Sequence, residues 1–583
     1  MPSPSPTSNH LNIPRREIAW LIAACLLGAV LRLGFPGRMA IEHFDEGVYA
    51  SNFWFGAEQG YSYPARHLYA PPLLPAAIEW TMIFASLCGF RPTGFIPMIP
   101  SLIAGLLTIP SIWWVGRRWF GPTAGLVAAW LVATSDFHAS YSRAALTDVP
   151  VCLFILWGIY FLKQAMESGA WRDMLLASLF TSLAWWTKYN GWLPLAVGLS
   201  GGLAWQIFLP TAERKLGTVL KRWSIVAGLS FLLWSPVLIG LQKHGGYQAV
   251  AENHRQYVNG VDTWWNNAIH QGLNVGVYDN VIGLPVEIWV ESVQQRLNGD
   301  PLLVYVGDPF TTVEATRPNR SFFSLSPVEE SVMSPWIVRG LLLATPVLLL
   351  ATVLCGLAIE IFASRSGRQT SSIWFMAAWG AGLCVATPFY SPYPRLILPL
   401  LISLWLGAGL MVQKIIDGDA LRSGAGCARF VSSLRFEFCV PLVMVCMIAI
   451  RCQIGSFHAW QDRSQFAADI QKLVGKIKDR TAASGYSRDE AIVFVVGHPP
   501  TFFAFKGEGL SLVAPIQHWV LAERQNHPTF VAYVDSRVVV SGRDAKLVVG
   551  STVSSIPSHF VVMDEPDCFE RMKFNCVWVE MLP

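Results

Sequence analysis

The stretch Glu42-His43-Phe44-Asp45-Glu46-Gly47-Val48-Tyr49-Ala50-Ser51 follows the first long apolar segment of the chain, residues 18 to 35. It sets two adjacent carboxylates where a helix of that composition would leave a bilayer. The rest of the chain has the same apolar character. Hydrophobic residues make up 53% and charged residues only 14%, with 25 tryptophans and a mean hydropathy of +0.40. That leaves too little polar surface to cover a soluble domain of 583 residues, so the sequence reads as a polytopic α-helical membrane protein. The net charge of +4 comes without any Lys/Arg block, which argues against nucleic-acid partners and leaves the basic residues as reporters of topology. None of the 11 cysteines forms a CxxC pair, and most lie in apolar segments, where packing is the better reading than zinc. Cys568 and Cys576 fall in a polar region, where a disulfide could form.

A helix needs about 20 apolar residues to cross a bilayer. Eleven segments qualify: 18–35, 94–116, 120–139, 148–166, 174–187, 191–209, 223–241, 335–361, 371–389, 395–415 and 437–454. A twelfth, 72–90, carries Pro72, Pro75 and Glu79. If it lies in the interface without crossing, Arg15/Arg16, Arg117/Arg118, Arg172, Arg214 to Arg222, Arg365/Arg368 and Arg422 to Arg435 all face the cytoplasm. If it crosses, the later clusters move outside, so the interfacial reading wins. The same choice gathers Asp45, Glu46, Asp148, Lys188 and Arg395 on the opposite, extracytoplasmic side.

The expected organisation is a cytoplasmic tail over 1–17, a transmembrane unit over 18–455 with outer loops at about 36–93 and 242–334, and a small extracytoplasmic α/β domain over 456–583. Arg15 and Arg16 before a long apolar run, with Arg32 near its end, suit a retained signal anchor better than a cleaved leader. In the first outer loop, Tyr49, Phe53 and Trp54 can share one face of a juxtamembrane helix among the headgroups. In the tail, a helical pattern near 465–479 precedes strand-like runs at 492–496, 530–534, 546–549 and 559–563.

Each charged candidate has a plainer alternative. Asp45 and Glu46 could take a proton from an attacking hydroxyl or amine, or could be a solvated loop. Asp148, two residues before Pro150, could be a ligand or the cap of a helix. Lys188 in Thr187-Lys188-Tyr189 and Arg395 in Tyr393-Pro394-Arg395 could neutralise a phosphate, or could snorkel at helix ends. His43, His67 and His138, also assigned to the outer side, could join the carboxylates around a divalent cation, with His43, Asp45 and Asp148 as the first ligands to consider, although no ligand spacing enforces it. His498-Pro499-Pro500 reads as a turn.

The acidic pair, Arg143-x4-Asp148 before a Pro-containing span, Thr187-Lys188-Tyr189, and Tyr393-Pro394-Arg395-Leu396-Ile397-Leu398-Pro399 recur in one order on one side. That order resembles the GT-C glycosyltransferases that use lipid-linked sugars, in particular the protein O-mannosyltransferases and the lipid A aminoarabinose transferases. The likeness spans residues 15 to 455. It implies a GT-C-like fold and inverting transfer of a sugar from a polyprenyl phosphate to a protein, lipid or glycan acceptor at the outer face of a membrane, as in a bacterial inner membrane. By motif, Asp45 looks like the catalytic base, Glu46 its neighbour, Asp148 a second acidic site residue, and Lys188, Arg395 and Arg143 contacts of the donor phosphate. Tyr69-Ala70-Pro71-Pro72 resembles the family's His-Pro-Pro stretch without its histidine, and His67 lies nearby. No Gly-rich nucleotide loop is present or needed. Rival readings are a polymerase or ligase of lipid-linked glycans, a secondary transporter, and a non-catalytic lipid-binding scaffold.

Overall fold

The computed structural model describes residues 13–56, 66–209, 214–255, 257–279, 335–363, 371–391, 393–417, 436–453, 457–460, 462–496, 498–510, 512–515, 528–534, 537–539, 546–549, 552–555, 560–562, 567–569 and 574–581. Its first helices are α1 (Arg15–Leu33), α2 (Phe44–Gly56), α3 (Leu73–Leu87), α4 (Ile99–Phe120), α5 (Pro122–Thr134), α6 (Asp136–Ser142), α7 (Asp148–Ser168) and α8 (Trp171–Thr187). Further helices follow at Leu193–Phe208, Leu216–Gln242, Gly246–Arg255, Trp264–Asp279, Pro335–Ala363, Ser371–Ala386, Leu398–Ile416 and Phe436–Gln453.

Helix occupies all eleven apolar segments, but residues 120–139 do not form one rod. At Ser135 the backbone turns extended (φ −63°, ψ 117°), and its hydroxyl accepts the His138 N–H, ending α5 and capping α6. The Asp279 carboxylate accepts the Ser135 hydroxyl at 2.6 Å and the Phe137 N–H at 3.3 Å, placing a negative charge at the start of α6. Arg32, wholly buried on α1, donates to the carbonyls of Val132 (2.8 Å) and Ala133 (3.1 Å), which α5 leaves unpaired at its end. The kink and the buried arginine are thus one arrangement.

Among the described residues, six helices are long and apolar enough to cross a membrane: Ile96–Phe120, Asp148–Ser168, Leu216–Gln242, Gly340–Ile359, Ser371–Phe389 and Pro394–Ile416. Helix α3 is shorter, at 15 residues or about 22 Å against a core of about 30 Å, and turns Trp80, Phe84 and Leu87 outward. Tyr49, expected among the headgroups, is instead 3% exposed and packs inward, because the face of α2 that bears it meets the helical core.

The tail begins with a helix at Gln465–Ala483, followed by β1 (Ile492–Val496), a helix at Pro499–Gly507 and β2 (Leu512–Pro515). Then come β3 (Thr529–Val534), β4 (Arg537–Val539), β5 (Lys546–Val549), β6 (Thr552–Ser555), β7 (Phe560–Val562), β8 (Asp567–Phe569) and β9 (Phe574–Met581). One sheet has the order β2-β1-β3-β9-β7 with β8 against β9, and β4-β5-β6 form another. Strand β1 runs parallel to β2 and β3, and the Pro499–Gly507 helix supplies the crossover that the parallel β1–β2 pair requires. Cys576 sits opposite Asp567, and Cys568 opposite Asn575, so these cysteines are not cross-strand partners as a disulfide between them would favour. Phe502, Phe503 and Phe505 of the tail join the same buried apolar cluster as Val48, Leu74 and the membrane helices.

Candidate active site

Glu46 occupies the third position of α2, and its side chain folds back on the start of the helix. Its Oε2 accepts the N–H groups of His43 (3.0 Å) and Glu42 (3.2 Å), the return half of a capping box. Its Oε1 accepts the Ala145 N–H at 2.8 Å, and the Arg463 guanidinium pairs with Oε2. The side chain has no solvent exposure. Glu46, expected at the reacting centre, is therefore a fully engaged internal carboxylate.

With Glu46 turned inward, Asp45 points the other way. Its Oδ2 lies 2.8 Å from Arg395 Nη2, and both side chains keep some exposure, 15% and 17%. Arg395 belongs to the turn Pro394–Ile397, which leads into the Leu398–Ile416 helix. A second pair lies alongside: Lys188 Nζ donates to Asp148 Oδ1 at 2.6 Å. Asp148 is the first residue of α7, one past the N-cap residue Thr147, and its side chain serves this ion pair. Lys188 ends α8 in extended backbone (φ −148°, ψ 143°), which carries its ammonium across to α7.

Tyr49 brings the two pairs together. Burial pushes its hydroxyl well above the usual tyrosine range, the negative charge of Asp45 adds to this, Arg395 opposes it, and Asp148 raises it again. Burial and Asp45 likewise raise Tyr69. Tyr49 thus feels both Asp45 with its partner Arg395 and Asp148, the partner of Lys188.

The turn bearing Arg395 is held by residues that follow the Leu216–Gln242 helix. Asn259 N–H donates to Phe389 O (2.7 Å) and Ser391 N–H to Tyr257 O (2.8 Å). Side chains of the Trp264–Asp279 helix serve the last carbonyls before it: Trp264 to Val385 (2.9 Å), Asn267 to Pro388 (2.9 Å) and Gln271 to Thr387 (2.9 Å). These carbonyls lie at the end of the Ser371–Ala386 helix and in the turn Thr387–Phe389 after it, where the Thr387 carbonyl also accepts the Tyr390 N–H at 3.0 Å.

Other expected residues lie elsewhere. Arg143, expected on a phosphate, is 2% exposed and donates to the carbonyls of Arg32 (2.8 Å), Gly34 (2.5 Å) and Phe35 (3.3 Å) at the end of α1. Burial, then the charges of Arg463 and Arg38, lower its pKa to about 9. His138, assigned to the outer face, is wholly buried with Nδ1 2.9 Å from Arg32 Nη2. His43 accepts the Asp45 N–H on Nδ1 at 3.2 Å, and His67 stacks on His244 at 4.2 Å. Among the described residues, no group of three or more His, Cys, Asp or Glu side chains is disposed to hold a metal ion.

Sequence reasoning missed Arg463, which pairs with Glu42 (3.2 Å) and Glu46 and donates to Arg143 O at 3.2 Å. It also missed Asp136, whose carboxylate accepts the N–H groups of His458 (2.8 Å) and Ala459 (2.8 Å) and meets His458 Nδ1 at 2.9 Å. Both link the start of the tail to residues more than 300 positions earlier, a separation at which no local pattern speaks.

The sequence family described as Dolichyl-phosphate-mannose-protein mannosyltransferase matches residues 70–239, from just before α3 to near the end of the Leu216–Gln242 helix. No curated protein matches the chain. Among solved structures, the archaeal oligosaccharyltransferase AglB from Archaeoglobus fulgidus, in complex with an inhibitory peptide and a dolichol-phosphate, aligns over 89% of this chain and 69% of its own. Identity is 13% and the TM-score 0.50. ArnT from Cupriavidus metallidurans, bound to undecaprenyl phosphate, aligns over 96% of this chain and 97% of its own at 12% identity and a TM-score of 0.47. The likeness to the oligosaccharyltransferase is one of fold, and the family match over residues 70–239 points the same way, toward glycosyltransferases that use polyprenyl-phosphate sugars.

Proposed function

We propose that the chain transfers a sugar, with inversion, from a polyprenyl-phosphate carrier to an acceptor at the extracytoplasmic face of a membrane. The observation that carries this reading is the meeting of the Asp45–Arg395 and Asp148–Lys188 pairs beside Tyr49. Each cation has a carboxylate partner, so the site is close to neutral before substrate arrives. A lipid-linked phosphate would compete for Arg395 and Lys188, and drawing Arg395 away would leave the Asp45 carboxylate able to accept a proton.

In the reaction, Asp45 takes the proton of the acceptor hydroxyl or amine as that group attacks the anomeric carbon opposite the phosphate. The bond from that carbon to the phosphate oxygen breaks, and the lipid phosphate leaves with the bonding pair. Its oxygen gains charge along the way, so fixed cations at Lys188 and Arg395 stabilise the transition state more than the ground state. Asp148 holds Lys188 at the right depth.

The placement of these residues favours an enzyme over a transporter. A transporter carries its ionisable groups near the bilayer midplane in broken helices, whereas Asp45 and Asp148 begin helices, Lys188 ends one, and Arg395 precedes one. A polymerase or ligase would use the same donor chemistry and differ in its acceptor. The test is to incubate purified protein with labelled polyprenyl-phosphate sugars. The reading expects release of free polyprenyl phosphate and a product of inverted anomeric configuration, and a retained configuration would refute single displacement.

A further inference from the structure

The helix that carries Asp45 is gripped from two sides by residues of the tail. On one side stands Arg463. It is 7% exposed, its backbone N–H donates to Arg38 O at 2.9 Å, and its guanidinium spans Glu42 Oε2 (3.2 Å), Glu46 Oε2 and Arg143 O (3.2 Å). On the other side the start of the Pro499–Gly507 helix presses on Gly47. A Cβ at Gly47 would fall 2.6 Å from Pro500 Cδ and against the backbone of both prolines. Asp45 directly precedes both contact points, one residue from Glu46 and two from Gly47.

We propose that the tail is a positioning element for the reaction: Arg463, acting through Glu46, and the Pro499–Pro500 turn, acting through Gly47, fix the register of α2 and hence the direction of the Asp45 carboxylate. On this view Glu46 is a positioning residue that touches no substrate. The physical case is that Glu46 is buried with every oxygen engaged, and a buried carboxylate deprived of its cation cannot keep the same geometry. Gly47 adds an independent constraint, since only a residue without a side chain lets the two helices approach so closely. The apolar cluster that includes Val48, Phe502 and Phe503 closes the joint. A displacement of about 1 Å at a base can cost about a hundredfold in rate, so a rigid support behind Asp45 has kinetic value.

The inference rests on Asp45 being the base, and the test separates the two claims. In full-length protein, Arg463→Ala is expected to lower kcat at least about tenfold while donor KM changes by less than about threefold, because the donor-binding cations stay in place. Arg463→Lys, which keeps the charge, should recover most of the loss. Gly47→Ala, which alters no charge, should show the same drop in kcat with little change in donor KM. Hydrogen exchange supplies a readout free of catalysis: amides of residues 46–51 should exchange faster in Arg463→Ala while those of α7 do not. Unchanged exchange and unchanged kcat in both Arg463→Ala and Gly47→Ala would overturn the proposal. Wild-type turnover in Asp45→Asn would overturn the base assignment alone and leave the exchange result to judge the positioning role.

Discussion

Lys188 and Arg395 face alternative fates at a membrane surface, snorkelling or holding an anion, and each instead meets a carboxylate from a different part of the chain. A snorkelling lysine would matter little to kinetics. If Lys188 serves the donor phosphate, Lys188→Ala should raise donor KM and lower kcat together, and Lys188→Arg should do less of both, since either cation pairs with phosphate. Steady-state assays in matched membranes decide this, and wild-type kinetics for Lys188→Ala would move the anion site to Arg395 alone. At this scale the sequence placed Asp45, Asp148, Lys188 and Arg395 at the ends of helices, which is where the structure has them. It misassigned Arg143 and Glu46, because their partners are backbone groups and an arginine 417 positions away. Type and spacing do not reveal such partners.

Helices were legible from apolar runs of adequate length, and the break at Ser135 was not, because it depends on Asp279 from another helix. The same kind of remote support holds Arg395. Replacing Asn267 and Gln271 together with alanine removes a side-chain donor from each of the Pro388 and Thr387 carbonyls; Thr387 keeps the Tyr390 N–H, and the loss at Pro388 costs about 1–3 kcal/mol where water does not substitute. The expected result is a raised donor KM, as the turn before Arg395 loosens, with Lys188 unaffected. A second prediction concerns the joint between the tail and α2. Burial, with the charge of His43 facing it, lowers His498 to about 4, and its Nδ1 lies 2.8 Å from Thr501 Oγ1. The unfolded chain therefore takes up a proton near pH 6.5 that the folded chain refuses until about pH 4, so stability is present above 6.5 and lost as pH falls through that window. The thermal midpoint of wild type should fall more steeply between pH 6.5 and 4.5 than that of His498→Gln. Equal slopes would assign the acid sensitivity elsewhere.

For the molecule as a whole, positive-inside counting assigned the site and the tail to one side before any contact was known. Arg463 and the Pro499–Gly507 helix contact the first loop at Glu42, Glu46 and Gly47, and His458 contacts Asp136 at the start of α6. An odd number of crossings from a cytoplasmic start should leave Pro583 outside. A compartment reporter fused there is expected to give an extracytoplasmic signal, and a cytoplasmic one would remove or add a span. What composition could not supply was the role of the tail, since its sheet reads as an ordinary small α/β unit and its function lies in what it touches.

The account depends above all on Asp45 as the group that accepts the acceptor's proton. Asp45→Asn keeps the shape and removes the basic charge, so release of free polyprenyl phosphate from a labelled donor, measured in membranes with matched protein levels, tests that claim most directly. The account predicts a loss of at least about a hundredfold with donor binding retained, in line with what a positioned base contributes. Turnover of Asp45→Asn near the wild-type rate would contradict it.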